Sequence, residues 1–103
     1  MKHPVINRSV EYNDNRIARY IAQQGNCAVT GRLLEVFDME LHHIIPTELG
    51  GTDRYNNLVF IAKDIHKLIH ATAPETINKY LHKLNLSEAE ICKVNELRVQ
   101  VEN

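Results

Sequence analysis

Residues 1 to about 12 show no hydrophobic period, and Pro4, Val5 and Ile6 read as an entry arm or a linker remnant. Beyond them Ile17, Tyr20, Ile21 and Gln24 fall on one side of a helix predicted over about 14–24, with Asn13 or Asp14 as N-cap and Gly25 as its stop. The apolar stripe is narrow, which places this helix at the edge of a domain. From Cys27 to Ile61 the period shortens to two: Met39, Leu41 and Ile45 alternate with Glu40, His42 and Ile44, and Leu58 to Ile61 is a second β-favouring run. The glycine-bearing loop Thr47 to Asp53 lies between them, so a hairpin with a long, compact connection is expected.

Helical spacing then returns. Ala62 to Ala71 reads as a helix with Ile65, Leu68 and Ile69 on its apolar side. Pro74 suits a first-turn position ahead of Ile77, Tyr80, Leu81 and Leu84. Ser87-Glu88-Ala89-Glu90 has the form of a capping box, opening a last helix that carries Ile91, Val94, Leu97 and Val101. The pattern predicts one α+β domain over residues 13–103, with packing helices from about residue 74.

Composition narrows the setting. With 103 residues and 44% apolar content, the chain suits a single domain with a modest core rather than a disordered tail. No apolar run approaches the ~20 residues of a membrane span, and the N-terminus lacks a signal-peptide core. Two cysteines, Cys27 and Cys92, are too few for a disulfide framework, which points to a reducing, cytoplasmic setting. A net charge of −1 gives no overall basic footprint of the kind many phosphate contacts need. Either Lys2, Arg8, Arg16, Arg19 and Arg32 gather on one face, or another protein or domain supplies most of the affinity for nucleic acid; a solvated surface with no basic cluster is the other reading.

The chemistry lies in the histidines. His66 and His70 are four apart, so on a helix they project from one face and can chelate one ion. Alone, that spacing reads as two surface histidines. The upstream pair His42-His43 and the intervening Asn57 change the balance toward a metal or phosphate site. Phosphodiester hydrolysis needs a base that titrates near neutrality and a cation to stabilise the phosphorane and the leaving oxygen. One histidine of the pair would ligate and its neighbour would act as base. Adjacent strand residues point to opposite faces, so both serve one cleft only if the strand ends, twists or bulges there. Asn57 suits a scaffold that ties the His43 loop to the second strand, or else a turn asparagine beside Asn56. Glu40 shares the alternation of His42; it reads as a solvated strand residue, with orientation of a ligand or a phosphate-binding arginine as the alternative. His3 and His82 read as surface residues.

These residues together resemble the HNH endonucleases, also called His-Me finger or ββα-metal nucleases, with His43, Asn57 and His66 at the H, N and H of that motif. The additional His42 and His70 are similar to the colicin DNase variant, in which three histidines bind the metal and the second of the pair is the base. The resemblance implies His42, His66 and His70 as ligands, His43 as general base, Asn57 as part of the catalytic site, and a ββα-metal core flanked by N- and C-terminal helices.

A closer likeness spans about Glu11 to Arg98. Segments such as Glu11 to Arg16, Cys27 to Gly31, Gly50 to Tyr55 and His66 to Thr72 resemble the C-terminal endonuclease domain of bacterial group II intron-encoded reverse transcriptases. That family's domain cuts one strand of a DNA target, and the exposed 3′ hydroxyl primes reverse transcription of the intron RNA. Many relatives carry paired-cysteine knuckles for a structural zinc; this chain has only Cys27 of the first pair. The resemblance further implies a fragment whose absent polymerase and maturase regions supply most of the DNA and RNA affinity.

The expectation is a DNA endonuclease or nickase using one divalent ion, with DNA, intron RNA and the parent maturase domains as partners and no membrane. Three imidazoles favour zinc, nickel or cobalt; if His70 turns away and only His42 and His66 bind, magnesium or manganese becomes reasonable. The rival reading is a non-catalytic, metal-stabilised module that binds DNA or protein.

Overall fold

The computed structural model describes residues 9–103. Two strands, β1 (Met39–His43) and β2 (Leu58–Ala62), pair antiparallel with Leu41 opposite Phe60 and His42 opposite Val59. β2 runs without a loop into α2 (Lys63–His70), whose Ile65, Leu68 and Ile69 are buried. Three such side chains contribute roughly 2 kcal/mol each by burial, which fixes α2 against the sheet. α3 (Pro74–Leu84) and α4 (Glu88–Gln100) close the other side of the core. Val94 of α4 joins Cys27, Val29, Leu34, Phe60, Ile61 and the α2 residues in one buried cluster, with Ile77, Tyr80, Leu81 and Leu84 of α3 packed against it. The chain is a small α+β fold of four helices and a two-stranded sheet among the described residues.

The C-terminal third follows the expected chemistry. Pro74 occupies the first turn of α3, and the Ser87–Glu90 capping box has both reciprocal hydrogen bonds. The N-terminal boundary differs. α1 spans Val10–Ala22, and Ser9, not Asn13 or Asp14, is its N-cap, accepting from the Tyr12 amide. The expected entry arm therefore loses residues 9–12 to the helix cap and first turns, and residues 1–8, His3 among them, lie outside the described residues.

α1 buries no side chain fully and is held largely by polar contacts. Asn15 Nδ2 donates to Asp53 O at 2.9 Å, Arg19 Nε donates to Tyr55 O at 2.9 Å, and the Arg19 guanidinium sits 3.9 Å above the Tyr55 ring. Gln23, just past its end, brackets the free edge of β2 by accepting from Phe60 N and donating to Phe60 O. At Phe60 that edge is thereby occupied, with Ala28 N also donating to the Phe60 carbonyl.

β1 is shorter than the alternation suggests, ending at His43 and not at Ile45. The Asn57 side chain ends the ladder: its Oδ1 accepts from Ile45 N at 2.8 Å, and its Nδ2 donates to Ile45 O and Thr52 O. The connection between the strands folds into short 3₁₀ turns at Thr47–Leu49 and Tyr55–Asn57. At Gly51 the backbone passes so close that a Cβ would overlap the Ile45 carbonyl, which explains the glycine. Among the described residues no helix is long and apolar enough to cross a membrane.

Candidate metal centre

The site histidines lie on β1 and on α2, which pack against each other. His42 points from β1 toward α2, and the helix spacing of His66 and His70 presents both rings to it. The ring centroids are 5.2 Å apart for His42 and His66, 5.5 Å for His42 and His70, and 4.7 Å for His66 and His70. One nitrogen from each ring lies within 4.8 Å of the others, so the three can hold a metal ion. Bonds of about 2.1 Å to a tetrahedral ion would require those atoms to lie roughly 3.4 Å apart.

Burial and charge fit that use. His42 is only 2% exposed, and its Nε2 is buried with no hydrogen-bond partner. Burial, then the neighbouring His66, His70 and His43, lowers its pKa from 6.5 to about 4. His70, at the exposed end of α2, is lowered by burial and by His66 against an opposing pull from Glu48. Neutral imidazoles are the ligating form, so both shifts keep the donors ready. His66 Nδ1 lies 2.5 Å from Glu40 Oε1. The carboxylate accepts a hydrogen bond from Nδ1–H, which leaves the Nε2 lone pair free to ligate and makes it more basic. The reading of Glu40 as a solvated strand residue is thus corrected, because its place two residues before His42 puts it on the α2 side of the sheet.

Arg98 fixes the far end of α2. Its Nη1 donates to Leu68 O at 2.6 Å and Ala71 O at 2.8 Å, and more weakly to Ile69 O at 3.3 Å. A guanidinium across the last carbonyls both satisfies them and complements the helix dipole. The position of His70 therefore depends on a residue 28 positions away in sequence, counting from 70 to 98.

His43 borders the same cleft, a concavity of about 220 Å³ that also takes in the three imidazoles, Pro46, Thr47 and Glu48. His42 and His43 occupy the last two positions of β1, and both line this cleft. His43 Nε2 lies 2.8 Å from Asp53 Oδ1, and the Tyr12 ring stacks on the imidazole at 6.2 Å and 16°. Asn57 does not enter the cleft; its side chain is spent on the backbone of residues 45 and 52, which is the scaffold arrangement expected of it. His82 is exposed. Arg19 is committed to Tyr55, while Arg16 borders an apolar depression with Ile17 and Phe60, and Arg32 borders another with Asp38 and Asp64. The N-terminal arginines described here thus serve three separate places. A larger open depression of about 400 Å³ on the outer face of α4 takes its walls from that single helix and holds no histidine; it is surface contour.

Sequence reasoning missed Asp53, Tyr12 and Arg98. Asp53 followed a glycine pair in a loop, and nothing in that pattern marks a carboxylate ten residues from His43 as its partner. No family model, no curated protein and no solved structure matches the chain.

Proposed function

We propose that this chain is a divalent-metal-dependent DNA endonuclease of the ββα-metal type, nicking a phosphodiester bond to leave 5′ phosphate and 3′ hydroxyl. The observation that carries the reading is that His42, whose Nε2 is buried and unpartnered, clusters with two imidazoles from α2 in the cleft that His43 also borders. A buried nitrogen without a partner costs about 1–3 kcal/mol, and a ligated ion removes that cost. The strand–connection–strand–helix order gives the reading its fold-level support, with β2 entering α2 directly.

In this mechanism His42, His66 and His70 hold the ion, and Glu40 orients His66. The ion supplies Lewis-acid stabilisation of the charge that develops on the phosphate and the departing oxygen. His43 takes the proton from the attacking water as the new P–O bond forms and the bond to the 3′ oxygen breaks; that oxygen leaves with a proton from solvent. Asn57 keeps the His43 turn in register with β2. A service to group II intron mobility fits the segments that resemble those reverse transcriptases.

The test is single-turnover nicking of duplex DNA with Mn²⁺ or Mg²⁺ by the wild type and by His43→Ala. The variant should lose cleavage while its zinc affinity stays within about threefold. Undiminished cleavage would remove the mechanism. A second reading is a metal-stabilised module without catalysis that docks on DNA or on a parent protein. That reading predicts an ion closed by four protein ligands, whereas a hydrolytic centre keeps a position open.

A further inference from the structure

Asp53 has a place in this site that neither the histidine spacing nor the ligand set explains. Its carboxylate approaches His43 Nε2 at 2.8 Å, with the two side chains 30% and 19% exposed. The residue is anchored from two directions. Asn15 of α1 donates to the Asp53 carbonyl, and Asn57 donates to the carbonyl of Thr52 immediately before it. The Tyr12 ring lies near-parallel to the imidazole in an offset stack, centroids 6.2 Å apart. A carboxylate can only accept, so a neutral imidazole against it must carry its proton on Nε2 and its lone pair on Nδ1.

We infer that Asp53 is the positioning residue that fixes His43 in its Nε2–H tautomer, so that Nδ1 is the atom that takes the proton from water. The inference rests on the nuclease reading for its chemistry. Once Nδ1 is protonated, the same carboxylate faces an imidazolium and stabilises it, as an orienting acid does for a histidine base in general. Asp53 does not itself take a proton, nor does it touch DNA. A bare loop staple would be content with any residue able to hold the turn; a tautomer lock needs an acceptor with no proton of its own.

The experiment pairs ring ¹⁵N spectra of the metal-free protein at pH 8 with single-turnover nicking in Mn²⁺. In the wild type the His43 proton should sit on Nε2. Asp53→Asn keeps the size but offers an amide N–H, so the proton should move wholly or partly to Nδ1. Nicking should then fall by roughly 100- to 10,000-fold, the range a general base contributes. Zinc affinity should stay within about threefold, and Asp53→Glu should recover part of the rate together with the Nε2–H signal. A wild-type proton on Nδ1 overturns the inference. So does an Asp53→Asn protein that keeps both the Nε2–H tautomer and the wild-type rate. If the wild type does not nick at all, the nuclease reading fails by itself, and the tautomer in wild type and variants decides the role of Asp53. If Asp53→Asn does not fold, the wild-type spectrum and Asp53→Glu carry the decision.

Discussion

Replacing His42 with leucine should separate what this residue costs the fold from what it gives the site. In the metal-free protein His42 Nε2 is buried without a partner, a penalty of about 1–3 kcal/mol. Leucine has no polar atom to strand, and it would sit opposite Val59 on the α2 side of the sheet. Imperfect fit of a branched chain in a space shaped by a ring costs up to about 1.5 kcal/mol. The balance favours the variant by on the order of 1 kcal/mol, or a rise in Tm of about 4–8 °C for a domain near this size. Added zinc reverses the ranking. At 100 times its Kd, an ion that binds only the folded state adds about 2.7 kcal/mol to the wild type, or roughly 11–22 °C. His42→Leu, reduced to two exposed-side imidazoles, should gain almost nothing. Thermal melts followed by circular dichroism, with chelator and with zinc, read both effects. A variant that melts well below the metal-free wild type, or one that keeps the full zinc-induced rise, would refute the assignment of His42 as a stranded donor awaiting an ion.

Two further outcomes follow from the same geometry. His42 titrates at about 4 in the folded protein against 6.5 unfolded, so the unfolded chain binds more protons between those values. The contribution of His42 to the stability of the metal-free protein is full above pH 6.5 and is lost as pH drops to about 4, on the order of 3 kcal/mol, read in chemical denaturation series at stepped pH. Stability that held flat across this window would contradict the buried, neutral imidazole. Arg98→Met removes the donor shared by the Leu68 and Ala71 carbonyls; it should cost about 2–3 kcal/mol and weaken zinc binding by freeing the end of α2 that carries His70. A variant as stable as wild type with unchanged affinity would show that the contact holds nothing in place.

Much of this architecture was legible because its signals are local. The capping box, the proline opening α3 and the stripe of Ile65, Leu68 and Ile69 each specify a helix within a few residues. The four-residue spacing of His66 and His70 likewise fixes a shared face. The start of α1 was not legible, since Ser9, Asn13 and Asp14 can all cap a helix, and a helix that buries no side chain gives no periodic edge from which to date its first turn. The end of β1 was hidden for another reason. Alternation continues through Ile45, and it is the Asn57 side chain, twelve residues beyond, that takes over the Ile45 backbone and stops the ladder. The pairings of His43 with Asp53 and of Glu40 with His66 share that character: each is produced by the closed hairpin or by the docking of α2, and neither leaves a spacing rule in the sequence.

The central claim is that three imidazoles share one divalent ion beside His43. Anomalous diffraction from crystals soaked in zinc or manganese tests it most directly. The account predicts a single peak about 2.1 Å from one nitrogen each of His42, His66 and His70, with at least one coordination position left to solvent and His43 unligated. A peak that excludes His42, an ion sealed by four protein ligands, or no peak at saturating metal would contradict it.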